Sequence, residues 1–381
     1  MALVTCALGA PAAQAVSVNI TGPREMVFDY ETMRCTDFDW PDIPARAFRD
    51  AIGRTQLVLG QGSRPNSRMI GPDLDNLVRD CTPILSNSNN PMPSDYDDAE
   101  WMSGIYSPDG QEVFALIHSE YHGIAHAGYC GDVFLDCRYN TITYAHSGDM
   151  ANSFQQPAPP GQLVAALPYR FVPGEGRYGF FTPSNIFQKD GWFYNMILAS
   201  ADYREQESGV CLMRTQDLAD PKSWRAWDGE GFNVRFIDPY RDSAQAVSRH
   251  VCDPIAPDAL GQINRSVVWS TFLNKWVVVG TETAYEPAFG EVIRGFYFST
   301  SDDLIHWSQR QLLMRVETAQ TWQCGDPDPA AYPSFIDPSS TDRNFNTMDQ
   351  TAYVYMTTFR RENCLVTSKR DVMRMPIQFT P

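Results

Sequence analysis

Apolar residues along this chain come in short bursts, bounded by Gly, Pro, Asn or Asp, and not in the three-and-four spacing of amphipathic helices. The bursts come in pairs. Residues 45–49 turn at Gly53 into 56–59, and 104–106 turn at Pro108-Asp109-Gly110 into 113–117. Residues 184–187 turn at Asp190-Gly191 into 192–197, 266–269 turn near Asn274 into 276–279, and 333–336 lead past Asp337-Pro338 into 352–356. Asp-Gly at two of these turns is a strong hairpin signal. A third run follows each pair, at 68–70, 141–144, 210–213, 296–298 and 364–366.

The stretch Ser301-Asp302-Asp303-Leu304-Ile305-His306-Trp307, of the form Ser-x-Asp-Leu-x-x-Trp, joins one third run to a further strand at 311–314. In such a turn a short hydroxyl or carboxylate side chain accepts backbone N–H groups, and the Trp folds back over apolar surface. Thr215-Gln216-Asp217-Leu218 with Trp224 repeats the signal with a longer turn. Ser147-Gly148-Asp149 ending in Phe154 is looser, and Gly71-Pro72-Asp73-Leu74 is degraded. The recurrence predicts five units of inner strand, hairpin partner and third strand. In four of them the Asp turn leads to an outer strand, and the last outer strand is expected at 372–379. One unit cannot bury its own faces. Five around an axis predict an all-β fold, a five-bladed β-propeller of four-stranded antiparallel blades, as one domain over 16–381. An irregular β-sandwich is the alternative.

A net charge of −16 argues against nucleic acid and anionic membranes as partners. It leaves neutral substrates, or anionic ones met by a local arginine cluster. Residues 1–15 are apolar and end in Ala13-Gln14-Ala15. They read as the remnant of a signal peptide, which predicts a secreted or periplasmic protein. No other segment is long and apolar enough to span a membrane. With Cys6 set aside, eight cysteines remain, enough for four disulfides in an exported protein. The sequence does not fix the pairing. Taken in unit order, it is Cys35 with Cys81, Cys130 with Cys137, Cys211 with Cys252 and Cys324 with Cys364. Zinc is the competing use, but no Cys-x-x-Cys occurs.

In a propeller the leading ends of the inner strands face the ligand. Asp42 and Arg46 are four apart, hence on one strand face, as an ion pair or as a carboxylate and an arginine at the channel mouth. The run Asp95, Asp97, Asp98, Glu100 could hold Ca²⁺, with a solvated loop as the alternative; no other cofactor and no transition-metal site are expected. Trp101 leads into the second unit. The richest stretch is His118-Ser119-Glu120-Tyr121-His122, whose carboxylate, phenol and imidazoles suit acid–base work or hydrogen bonding to sugar hydroxyls. Glu175 lies between Gly174 and Gly176, in a tight loop that presents its carboxylate. Asn185, Arg265 and Tyr332 stand at the heads of the third, fourth and fifth units.

With these residues in view, the chain resembles the five-bladed propeller glycosidases of the arabinanase, xylosidase and invertase kind, over about 40–379. The turn from Ser301 to Trp307 is typical of their blades, and with Ser147-Gly148-Asp149 and Phe154 is similar to the Asp-box turn of sialidases. The resemblance implies a carboxylate base or nucleophile on the first inner strand, where Asp42 matches. It implies a glutamic general acid on a later blade, for which Glu120 and Glu175 are the candidates, and a third carboxylate that tunes it. The invertase-type motifs Asn-Asp-Pro-Asn-Gly, Arg-Asp-Pro and Glu-Cys are absent. The expected function is a secreted glycoside hydrolase acting on an oligo- or polysaccharide. Two alternatives are a non-catalytic glycan-binding or surface-assembly propeller, and a polysaccharide lyase with Tyr121 or His122 as base and Arg46 or Arg265 neutralising a uronate.

Overall fold

The computed structural model describes residues 16–60, 66–126, 130, 137–243 and 246–380, so the signal-peptide remnant expected at 1–15 lies outside the described residues. The chain opens with strands β1 (Ser17–Ile20) and β2 (Glu25–Phe28) and one helical turn, α1 (Tyr30–Met33). The first unit is an antiparallel meander of β3 (Arg46–Arg49), β4 (Thr55–Val58), β5 (Asn66–Gly71) and β6 (Val78–Leu85). The second comprises β7 (Ala99–Tyr106), β8 (Val113–His122) and β9 (Cys137–Ser147), with β10 (Leu163–Ala165) on β9. The third comprises β11 (Gly176–Phe181), β12 (Phe187–Lys189), β13 (Trp192–Ala199), β14 (Gly209–Thr215) and β15 (Arg225–Ala226). After the short helix α2 (Pro257–Leu260), the fourth runs through β16 (Ser266–Ser270), β17 (Lys275–Glu286), β18 (Glu291–Ser301) and β19 (Gln311–Arg315). The fifth holds β20 (Ala330–Ile336), β22 (Thr351–Glu362) and β23 (Leu365–Thr380); between them β21 (Thr347–Met348) pairs in parallel with β16.

The fold is all-β, and the strand pairs fall where the hydrophobic bursts predict them. Two details differ. The second and third units form a single nine-stranded sheet, because β11 pairs in parallel with the head of β9, from Gly176 opposite Cys137 to Gly179 opposite Asn140. Gly179 permits this approach. Its φ is +109°, and a Cβ there would lie 2.0 Å from the Asn140 carbonyl oxygen. The second difference is at the end of the chain. The expected third strand at 364–366 and outer strand at 372–379 are one continuous strand, β23, since no Gly or Asn interrupts 365–375. The outer position is filled instead by β1 and β2 from the other end of the chain, with Ser17 opposite Thr380 and Glu25 opposite Arg374.

The turns behave as their side chains dictate. Ser301 Oγ accepts the N–H groups of Asp303 and Leu304, Asp303 Oδ1 accepts those of Ile305 and His306, and the Trp307 indole donates to the Leu304 carbonyl at 2.8 Å. Ser147 Oγ accepts from Asp149 and Ala151, and Thr215 Oγ1 accepts from Asp217, in the same manner.

Apolar side chains fill the spaces between consecutive units. Phe48 and Val58 meet Ile105 and Ile117 between the first and second. Tyr139 and Ile142 meet Ile197 and Met213 between the second and third. Phe187 and Leu212 meet Val267 and Trp276 between the third and fourth, and Val277 and Phe296 meet Phe335 and Val354 between the fourth and fifth. Ile336 and Tyr355 then meet Leu57 and Met69, which returns the fifth unit to the first. Hydrogen bonds between inner strands follow the same circuit: Arg46 to the Ser103 carbonyl, Ser103 to that of Pro183, Asn185 to that of Val267, the Phe335 N–H to Ser266, and Arg49 to the carbonyls of Ser340 and Asp342. The four disulfides pair as unit order predicts: Cys35–Cys81, Cys130–Cys137, Cys211–Cys252 and Cys324–Cys364. Among the described residues no helix is long and apolar enough to cross a membrane.

Candidate active site at the heads of the inner strands

Asp42 arrives just before β3, its N–H held by the Gly60 carbonyl at 2.9 Å. Its carboxylate collects groups from three other parts of the chain. The Trp101 indole donates to Oδ2 at 3.2 Å, the Tyr332 hydroxyl donates to Oδ1 at 2.8 Å, and the Arg370 guanidinium pairs with Oδ1. Tyr332 reaches it from an irregular step in β20, where the register shifts between Ala331 and Ser334 and Tyr332 itself adopts φ +58°. A bulge of this kind re-aims a side chain at a cost in backbone strain.

Glu120 lies two residues from the end of β8. Strand alternation sends His118, Glu120 and His122 to one face and Tyr121 to the other. Glu120 accepts from His122 Nε2 at 2.8 Å, pairs with Arg138 at 3.2 Å and stands 3.5 Å from His118 Nε2. The Trp101 ring packs against both imidazoles, with centroids 5.6 Å from His118 and 6.0 Å from His122. Trp101 therefore links the Asp42 group to the Glu120 group, and Arg138 feels the charge of both carboxylates.

Arg46 is buried beneath them and donates to the Ser103 carbonyl at 2.7 Å and the Arg265 carbonyl at 2.5 Å. Arg265 Nη1 is buried with no hydrogen-bond partner among the described residues. Arg177 stands close enough to act electrostatically on His118, Arg138 and Arg265. The result is five guanidinium groups (Arg46, Arg138, Arg177, Arg265, Arg370) around two carboxylates (Asp42, Glu120), in a protein of net charge −16.

This crowding fixes the protonation of the site. Burial by itself would raise the Glu120 carboxyl. The hydrogen bond from His122 and the charges of His118 and Arg138 outweigh that and hold it well below the usual carboxylate range. Burial, joined by repulsion from Arg265, lowers Arg46 to about 9. Burial also lowers Arg265 to about 10, with Arg177 adding to the effect and Tyr332 opposing it. Burial, then the Asp42 charge, raises the Tyr332 phenol far above its ordinary value, so it stays a donor. Burial lowers His118 despite Glu120 beside it.

Three expected site residues lie elsewhere. Glu175 is exposed and pairs with Tyr203 and Arg204, which keep its carboxyl lowered. Tyr121 faces the core between the second and third units, packed on Phe171, with its hydroxyl donating to the Pro91 carbonyl at 3.0 Å. Asn185 is consumed in joining units: it accepts from the Val267 N–H and donates to the Val267 carbonyl and to Asn346. The acidic run disperses. Asp97 bonds Ser88, Asp95 bonds Asn90, Asp98 accepts from the His122 N–H and pairs with His126, and Glu100 is buried against Gln156. Among the described residues no three His, Cys, Asp or Glu side chains gather as a metal site. Three members of the cluster were not predicted: Arg138, Arg177 and Arg370. Arg138 lies opposite His122, on the face that alternation from Glu120 could have indicated.

No family model matches the chain, and no curated protein does. Solved structures do resemble it. A glycosyl hydrolase from Bacteroides ovatus is 9% identical, with 88% of this chain and 84% of that one covered, at a TM-score of 0.47. A protein of unknown function from Dyadobacter fermentans is 11% identical, covering 95% and 99%, at 0.49. The α-L-arabinanase of Cellvibrio cellulosa, complexed with arabinohexaose, is 12% identical, covering 88% and 92%, at 0.46.

Proposed function

We propose that this is a secreted, carbohydrate-active five-bladed propeller, a single domain over 16–381, whose mouth takes an acidic glycan. The blade count is supported by the circuit of apolar contacts and hydrogen bonds that leads from the fifth unit back to the first. Four disulfides fit an oxidising compartment outside the cytosol. The observation that carries the substrate class is the excess of arginine over carboxylate at the mouth, where Arg138, Arg177, Arg265 and Arg370 stand around Asp42 and Glu120. Guanidinium groups bind carboxylates in forked pairs, so a uronate or similarly charged sugar fits where a neutral one would leave cations uncompensated. The Trp101 face beside the imidazoles suits the apolar side of a sugar ring.

As a glycoside hydrolase, the protein would use Asp42 as base or nucleophile. Glu120 and Glu175 are both held ionised and hold no proton to give. The proton donor is then His122, partnered by Glu120. The same arginine excess favours a second reading, a lyase, in which Arg265 and Arg177 would neutralise the uronate and His122 would act as base. Polygalacturonate, alginate and glucuronoxylan, set beside arabinan and xylan, separate these. New reducing ends without ultraviolet-absorbing products indicate hydrolysis, and unsaturated ends indicate elimination. Binding without either indicates a recognition module. Equal action on neutral and acidic polymers, or full affinity in Arg265→Met, would refute the acidic-glycan reading.

A further inference from the structure

At the end of the axis opposite the mouth lies a cavity of about 230 Å³. The inner strands begin at the mouth, so their trailing residues gather here. Tyr106 closes β7, Gln188 lies in β12, Trp269 lies in β16, and Asp342 comes from the fifth unit between β20 and β21. Nearer the mouth the axis is filled. Around Arg46, Asn185 and Asn346 only about 10 Å³ is open, room for about one water, so the two ends do not communicate.

Two aromatic rings wall the cavity, and each is braced from behind. Tyr106 packs edge-on against Phe193 with centroids 5.1 Å apart, and Trp269 against Trp276 at 5.3 Å. Tyr106, Trp269 and Asp342 are half-buried, and Gln188 is exposed. Asp342 Oδ1 accepts the N–H groups of Asn344 and Asn346, both at 2.9 Å, which fixes the carboxylate. Its Oδ2, the Tyr106 hydroxyl and the Gln188 amide make no hydrogen bond among the described residues, and none is sealed inside the fold as the Trp276 indole nitrogen is. Burial, then the Asp342 charge, raises the Tyr106 phenol, so hydroxyl and carboxylate stand near one another without bonding.

Rigid ring faces beside an open donor and an open acceptor suit a molecule with an apolar face and adjacent hydroxyls. We propose that this cavity is a second carbohydrate-binding site, which seats one neutral sugar residue against Tyr106 and Trp269, its hydroxyls accepting from the Tyr106 hydroxyl and donating to Asp342 Oδ2. At about 30 Å³ per water, the space holds about eight waters, enough for one ring and too little for a chain. An organic cation is the other guest that rings and a carboxylate attract. Arg49 argues against it: it donates to the Asp342 carbonyl at 2.9 Å and already feels the Asp342 charge. The Tyr106 hydroxyl and the Gln188 amide also offer donors that a cation cannot accept. The site is independent of the mouth: it shares no residue with the Asp42–Glu120 cluster.

The test uses the full chain, titrated calorimetrically with methyl glucoside, methyl galactoside and arabinose, and separately with tetramethylammonium. Tyr106→Phe deletes the hydroxyl and keeps the ring, and Gln188→Ala alters only the exposed rim. Thermal melting of each variant verifies folding. For at least one of these sugars, Tyr106→Phe is expected to weaken binding about three- to tenfold, and Gln188→Ala to weaken it less. Glu120→Gln, which alters the mouth, should leave this site's affinity unchanged. If no sugar binds, if tetramethylammonium alone does, if affinity is unchanged in a folded Tyr106→Phe, or if crystals soaked in these sugars show ordered water only in the cavity, the proposal fails, whatever becomes of the mouth.

Discussion

Glu100, the residue before Trp101, offers the sharpest test of the physical reasoning. Its side chain is fully buried, with Oε1 accepting from Gln156 at 2.7 Å and Thr143 at 3.3 Å and Oε2 unpartnered. Burial, with Asp97 nearby, raises its carboxyl from 4.5 to about 8, against the two lowering hydrogen bonds. At about 1.36 kcal/mol per pH unit, charging it inside the fold costs about 5 kcal/mol. The sign follows from proton uptake. Below pH 4.5 both folded and unfolded chains hold the proton. Between 4.5 and about 8 the unfolded chain has released it and the folded chain has not, so stability falls as pH rises. Above about 8 the loss is complete. Glu100→Gln keeps the Oε1 acceptor and cannot ionise. Relative to the unsubstituted protein it should be about equal in stability at pH 4, about 3 kcal/mol more stable at pH 7 and about 5 kcal/mol more stable at pH 9. Denaturant unfolding with disulfides intact, run at each pH on both proteins, measures the difference directly, because every other titrating group is common to the two. Parallel stability–pH curves would show that Glu100 is solvated or ionised in the native state, and would refute the burial argument.

Other expectations follow from the same contacts. Glu120→Gln releases His122 and Arg138 from their shared anion, and should lose most turnover or binding of acidic glycan in the polymer assay. Because Glu120 is held low by those cations, the stability it contributes is present above pH 4.5 and fades as pH falls below it; acid unfolding curves of the variant should lack that fall. Deleting 16–28 removes β1 and β2 from β23, and should lower the melting temperature and promote association through the bared strand, as read by scattering. Replacing Cys211 and Cys252 with serine opens a 41-residue loop and should cost about 4 kcal/mol of unfolding free energy by denaturant titration.

The fold was legible where the chemistry is local. Asp-Gly turns, bursts of period-two hydrophobicity and the hydroxyl–Asp–Trp turns each specify their own few residues, and they fall where expected. The pairing of β1 and β2 with β23 was not legible, because a short polar-flanked strand carries no mark of which distant edge it will cover. Nor was the merging of the second and third units, which depends on one glycine, Gly179, meeting one carbonyl. Of the site, Asp42, Arg46, Trp101, Glu120, His122, Arg265 and Tyr332 converge as residues at strand heads should. Tyr121 was misplaced by reading its strand as a list of functional groups when alternation already set it opposite Glu120. Arg370 escaped because it fell between the third strand expected at 364–366 and the outer strand expected at 372–379, whereas β23 runs unbroken through it and touches Asp42. Glu175 sits in the tight loop its glycines suggest, but Tyr203 and Arg204 hold it.

That Ser17 lies opposite Thr380 has a consequence for how the molecule comes into being. A polypeptide that emerges from its beginning must hold its earliest strands in waiting until the sixteen residues of the last one arrive. Premature termination would then leave two raw edges at once, one on the opening strands and one on β22, each ready to zip onto a neighbouring copy. The final residues act as a latch whose arrival covers both edges together.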